Sequence, residues 1–196
     1  MRRVIDNEVF GYKRHRNRVV DGHVHTELCP HGSGDSTAKM IEEAISLRVE
    51  KICLTEHAPL PHGFRDVYVG DMNAYNTASL SFAQVDNYLD LGRSFKREYG
   101  SRIDISLGFE VDYIPGFESN IEDFLDTYGP VTEDNILSVH FMEGANNGFW
   151  CLDYSEEEFQ KGFGEWIDNQ SDLYARYFEL LREAVKADLG YYTPKR

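Results

Sequence analysis

Imidazole and carboxylate side chains recur in five stretches of this chain: His23 and His25 in DGHVHT, His31 in CPHGSG, Glu56 and His57 in TEHAP, Glu110 in GFEVDY, and His140 in SVHF. These are nitrogen and oxygen donors without a thiolate set. That combination favours Zn, Mn or Fe over Ca, and an open catalytic site over a closed structural one. Residues at i and i+2 of a strand face the same way, so Asp21, His23 and His25 point together, either into a site or into the core. Two histidines buried in an apolar core without partners would be costly. Any one of these histidines could be a hydrogen-bonded structural residue. That five of the seven in the chain fall at or just beyond predicted strand ends is harder to explain that way. Glu110 is the natural bridging carboxylate between two metals, and Glu56 or Asp21 could hold a ring N–H from behind. Cys29 lies close to the cluster in sequence and is either a buried thiol or a minor ligand. His15 and His62 look incidental, with a substrate contact as the alternative for His62.

The elements that must position these groups follow a regular order. Strands are predicted at 17–26, 51–57, 102–113 and 135–141. A helix capped by Asp35 or Ser36 runs through Arg48, and a longer one covers 79–100. Another spans 118–129, closed by Gly129, a favoured C-cap residue. A helix at 156–167 is weakened by Gly162 and Gly164. The last covers 171–190, with Ser171 as N-cap and Gly190 as C-cap. Between strand 2 and the long helix lies a loop with Pro59, Pro61, Gly63 and Gly70, long for a βα connection and therefore a candidate for function. Four βα alternations imply a parallel sheet with right-handed crossovers. An open doubly wound sheet and a closed barrel both fit, and in either the C-terminal strand ends converge on one face. The chain has no GxGxxG, GxxxxGK[ST] or GxSxG motif.

The bulk properties exclude several classes. A chain of 196 residues with 41% hydrophobic content suits one domain with a sizeable core. A formal net charge of -14 disfavours a nucleic-acid groove. It also repels phosphorylated substrates at long range, unless a cation cluster reverses the local field. Three cysteines are too few for a disulfide framework and fit a reducing, cytoplasmic setting. No apolar run reaches the roughly 18 residues of a membrane span, so no membrane partner is expected. Residues 1–18 form a basic leader with Arg2, Arg3, Lys13, Arg14, Arg16 and Arg18. It is either a solvated leader or a contact arm for an acidic partner.

The segments DGHVHTELCPHGSG, LTEHAPLP, GFEVDYIPGFE and ILSVHF resemble the polymerase-and-histidinol-phosphatase (PHP) superfamily, and within it the metal-dependent histidinol-phosphatase branch. The resemblance covers residues 19–196, which it implies are a PHP domain. It implies an α/β fold, a distorted (β/α)7 TIM-like barrel with two or three divalent cations (Zn, Mn or Fe) at its C-terminal face. The implied ligands are His23, His25, His31, His57, Glu110 and His140. The family's remaining ligands come from a later GH motif and a terminal DxH motif, neither present before Arg196, so the barrel is expected to be incomplete at its C-terminus, with a sheet edge exposed. The implied activity is hydrolysis of L-histidinol phosphate to L-histidinol and phosphate in histidine biosynthesis. The nucleophile is expected to be a metal-activated hydroxide and not a protein side chain. Arg196 is expected to reach a phosphate oxygen, the alternative being a plain surface Arg. Two other readings stay open: a PHP phosphoesterase for another small phosphomonoester, and an inactive metal-binding fragment.

Overall fold

The computed structural model describes residues 18–190 and 193–194. In chain order the elements are β1 (Val20–Val24), α1 (Thr37–Ser46), β2 (Lys51–His57), α2 (Met72–Thr77), α3 (Val85–Tyr99), β3 (Asp104–Asp112) and α4 (Glu118–Tyr128). There follow β4 (Ile136–Ser138), β5 (Phe141–Glu143), β6 (Phe149–Cys151), α5 (Glu156–Phe163), α6 (Gln170–Lys186) and β7 (Thr193–Pro194). β2 and β3 are nearly continuous buried runs, as interior parallel strands covered on both faces must be. They sit inside a curled five-stranded sheet of order β1-β2-β3-β4-β7, with every pair parallel. The alternation read from the sequence is therefore present.

Register sets what the strand ends present. His57 on β2 pairs with Glu110 on β3, and Asp112 on β3 pairs with Ser138 on β4. β1 shifts register between Asp21 and Val24, a bulge that re-aims the side chains around His23. Arg18, counted in the basic leader, instead reaches Asp104 at 2.7 Å and ties the start of β1 to the start of β3. Two interior devices hold β3 to its neighbours just below the site. The buried Tyr88 of α3 sets its hydroxyl 2.8 Å from the Leu54 carbonyl and 2.7 Å from that of Gly108. At Gly108 a Cβ would lie 2.1 Å from the Asp134 carbonyl, so only glycine admits the segment that leads into β4.

Several predicted boundaries move. The helix expected at 79–100 is a 3-10 turn at Phe82–Gln84, closed by a Ser81–Gln84 capping box, and then α3. Neither expected cap donates a side chain to α1: Asp35 instead accepts the Ser33 hydroxyl, and Ser36 is the N-cap without a side-chain bond. α1 ends at Ser46, with Arg48 in the left-handed region. α6 starts at Gln170, so Ser171 lies inside it and Asn169 is the N-cap. It ends at Lys186, short of Gly190. The expected strand at 135–141 breaks after Ser138. Phe141–Glu143 leaves the parallel sheet and forms an antiparallel hairpin with Phe149–Cys151. Asn146 and Asn147, both at positive φ, make its turn. The long loop after β2 carries α2 and packs Phe64 and Tyr68 against Phe141 of this hairpin, a second small core beside the main one.

Among the described residues no helix is long and apolar enough to cross a membrane. Arg2, Arg3, Lys13, Arg14, His15, Arg16 and Arg196 lie outside the described residues.

Candidate metal centre

Glu110 is 1% exposed and stands at the centre of the histidines. Its Oε2 lies 2.7 Å from His23 Nε2, 3.3 Å from His25 Nε2 and 3.6 Å from His57 Nδ1. Its Oε1 accepts the Ser138 hydroxyl at 2.5 Å and lies 3.5 Å from His140 Nε2. The rings form one connected group. His25 stacks on His57 with centroids 4.4 Å apart, His31 is 4.9 Å from His57, and His140 is 5.4 Å from it. The CPHG loop therefore does fold back over the strand ends. All five rings and Glu110 line a single cavity of about 460 Å³, together with Asp112, Asp153 and Tyr154.

The outward sides of three rings are tied down. His25 Nδ1 meets Glu56 Oε1 at 3.1 Å, His31 Nδ1 donates to the Thr77 carbonyl at 2.7 Å, and His140 Nδ1 meets Asp112 Oδ1 at 2.8 Å. With Nδ1 occupied, each ring has Nε2 left to serve the cavity, a common way of fixing a ligand's tautomer. Glu56 is fully buried and also accepts the Thr26 amide and hydroxyl at 2.9 and 2.7 Å. His57 differs: its Nδ1 is buried and has no hydrogen-bond partner among the described residues.

The charges follow from these contacts. Burial works against a charged His25, but hydrogen bonds to Glu110 and Glu56 outweigh it and raise the ring to about 9. Burial likewise opposes charge on His140, and Asp112 followed by Glu110 raises it to about 9. At His57 burial dominates and lowers the ring to about 4, so it is neutral at pH 7. Burial would raise Glu110, but hydrogen bonds from His23 and His25 hold it well below the usual carboxylate range. A buried carboxylate, a neutral imidazole with an unpartnered nitrogen and three rings with Nε2 turned inward form a donor set suited to a borderline divalent cation. Ligand atoms of His23, His25 and Glu110 lie within 4.8 Å of one another, as do those of His57, Asp112 and His140.

His23, His25, His31, His57, Glu110 and His140 thus lie in one place, and Glu56 Oε1 meets the His25 ring. Asp21 does not. It is exposed on the edge strand, and the carboxylates on the β1 histidines are Glu110 and Glu56. Cys29 is buried beside His25 and Glu56, behind the ring and away from the cavity lining. His62 stacks on Phe82 at 4.5 Å in a separate groove with Pro59 and Phe124. Sequence reasoning missed Asp112 and Ser138, although each sits two residues from a candidate ligand on a strand path, the same i+2 relation that linked His23 to His25. The Thr77 carbonyl under His31 has no side-chain signal at all.

A curled parallel sheet with a histidine-carboxylate cluster at its C-terminal strand ends defines a TIM-like α/β protein with a candidate metal site, and the PHP domain family model matches residues 21–192. The chain belongs to the PHP domain family. It is 39% identical over 176 residues to the histidinol-phosphatase of Bacillus subtilis, an alignment covering 90% of this chain and 63% of that protein. The crystal structure of a Listeria monocytogenes protein assigned as a histidinol phosphatase matches with TM-score 0.83 and 38% identity, over 87% of this chain and 62% of the other. A Lactococcus lactis histidinol phosphate phosphatase, solved with zinc, L-histidinol and phosphate, matches with TM-score 0.53 at 21% identity, over 87% and 69%. That last likeness speaks to the fold. The chain spans 63% of the length of the Bacillus subtilis relative and 62% of the Listeria monocytogenes one.

Proposed function

We propose that this site is a metal-dependent phosphomonoesterase centre acting on L-histidinol phosphate, releasing L-histidinol and phosphate. The observation that carries the reading is the convergence of four imidazoles on the buried Glu110, with His31 packed against His57 beside them and the Nδ1 atoms of His25, His31 and His140 tied outward. His23, His25, His31, His57, Glu110 and His140 would hold two or three ions, with Zn, Mn or Fe suited to the donors. Bound divalent cations supply two things to such a reaction, a lowered pKa for water and neutralisation of phosphoryl charge.

The chain's own residues do the rest. Ser138 holds Glu110 by its Oε1, while Glu56 and Asp112 fix the rings of His25 and His140. Asp153 and Tyr154 line the same cavity and would face the alcohol half of the substrate. Arg196 would contact a phosphate oxygen. On this reading residues 19–196 act as one PHP unit behind a basic leader at 1–18. The substrate is a small phosphate ester of histidine biosynthesis in the cytoplasm, with neither nucleic acid nor membrane as partner. The relatives' names and the three free cysteines support it.

The test is phosphate release from L-histidinol phosphate by the purified chain with added Mn or Zn. Turnover that disappears with a chelator and in His57→Ala is the expected result. A folded, metal-loaded chain that releases no phosphate would overturn the activity, and its metal content would then support metal binding without turnover.

A further inference from the structure

Asp112 is buried, and the ligand set proposed above does not use it. It follows Glu110 by two residues on β3, so both side chains leave the same face of the strand. Its lateral partner on β4 is Ser138. The contacts between these two strands are reciprocal. Ser138 reaches across from β4 to donate to Glu110, and Asp112 reaches across from β3 to His140, two residues past the end of β4. There Asp112 Oδ1 takes two hydrogen bonds from one residue, the His140 backbone amide at 3.1 Å and the ring Nδ1 at 2.8 Å. A single oxygen that binds both groups fixes the ring relative to its own backbone. The opposite nitrogen, Nε2, then lies 3.5 Å from Glu110 Oε1. A neutral imidazole can carry its proton on either nitrogen, and only the Nδ1–H form leaves a lone pair at Nε2.

We propose that Asp112 is a positioning residue, which holds His140 in the Nδ1–H form and aims its Nε2 at the cation site beside Glu110. This rests on the metal-binding part of the function proposed above. A role confined to the backbone is the competing account, since Asp112 also takes the amide at the break between β4 and β5. The ring contact separates the two, because a backbone cap has no need of Nδ1 and would leave metal affinity untouched when lost from a folded chain.

The experiment measures zinc affinity of the full chain by competition with a chromophoric chelator, beside the metal-free unfolding temperature. Asp112→Ala should weaken zinc binding by roughly 10–100-fold, the usual effect of losing such an outer partner. Asp112→Asn keeps an oxygen that can accept from both N–H groups and should retain most of the affinity. In a His140→Ala background, Asp112→Ala should add no further loss. Unchanged affinity in Asp112→Ala overturns the proposal, as does additivity with His140→Ala, or an Asp112→Asn loss as deep as that of Asp112→Ala. An unaltered chain that binds no zinc overturns the metal reading and this proposal together. Should Asp112→Ala not fold, the nitrogen-15 spectrum of zinc-loaded Asp112→Asn decides. A His140 ring still protonated at Nδ1 and bound through Nε2 supports the role, and full affinity with the other tautomer overturns it.

Discussion

His57 and Glu110 are lateral partners on adjacent strands, yet His57 Nδ1 stands 3.6 Å from Glu110 Oε2, outside hydrogen-bond distance. That nitrogen is buried and has no other partner among the described residues. Buried polar atoms seldom go unpaired in native proteins, and each one needs a reason. Cation binding, as proposed above, would supply it. His57→Ala should weaken zinc binding by more than the roughly 10–100-fold expected for loss of an outer partner. The check is chelator competition, and affinity equal to that of the unaltered chain would remove His57 from the ligand set.

Loading should stabilise the fold. A cation that binds only the native state adds about 2.7 kcal/mol when its free concentration is a hundred times its dissociation constant. Urea unfolding in zinc and in chelator would measure the difference. Coincident curves would mean that the cluster holds no zinc.

The titrations give a signed pH dependence. In the metal-free chain His25 and His140 are each raised to about 9 from the ordinary 6.5. Their charged pairs therefore stabilise that form fully below pH 6.5, and the contribution is lost as pH rises through about 9. His57, lowered to about 4, acts in the opposite sense, and its contribution is lost as pH falls from 6.5 toward 4. Cations need deprotonated rings, so zinc affinity should climb between pH 6.5 and 9 and binding near pH 7.5 should release protons. Calorimetry in buffers of different ionisation enthalpy would read the release, and identical heats would contradict it.

Glu56 carries more of the fold than its place behind His25 suggests. Its two oxygens serve the His25 ring, the Thr26 amide and the Thr26 hydroxyl. In Glu56→Gln one oxygen becomes an amide nitrogen that cannot accept, leaving buried donors unpaired. A loss of about 1–3 kcal/mol is expected in urea unfolding. A change within a few tenths of a kcal/mol would show that these bonds are replaced by water.

β2 was legible in the sequence from Lys51 to His57 because a buried parallel strand is short and has an apolar centre, here Ile52, Cys53 and Leu54. That His23, His25, His31, His57, Glu110 and His140 would lie together was legible for a related reason: residues at successive strand ends must meet in a parallel α/β sheet. The misreadings have separate local causes. NILSVHF reads as one strand, but the His140 amide is taken by Asp112 and the chain turns away into β5. Asp35 looks like a helix cap, but its carboxylate is engaged by Ser33. Asp21 has the right spacing from His23, but the irregular register of β1 leaves it facing solvent. Such choices turn on individual side-chain contacts and leave no periodic trace.

The position of β1 has a consequence for how the molecule comes apart. It is the outermost strand, with Val20, Asp21 and Gly22 exposed, and its histidines reach inward to carboxylates on β2 and β3. With little apolar surface of its own, the strand is held by its backbone pairing with β2 and by the side chains of His23 and of His25 just beyond it. Its amide protons should exchange with solvent before those of β2 and β3, and sooner still once His23 and His25 are replaced. At this edge, loosening of the histidine cluster and fraying of the sheet are one event.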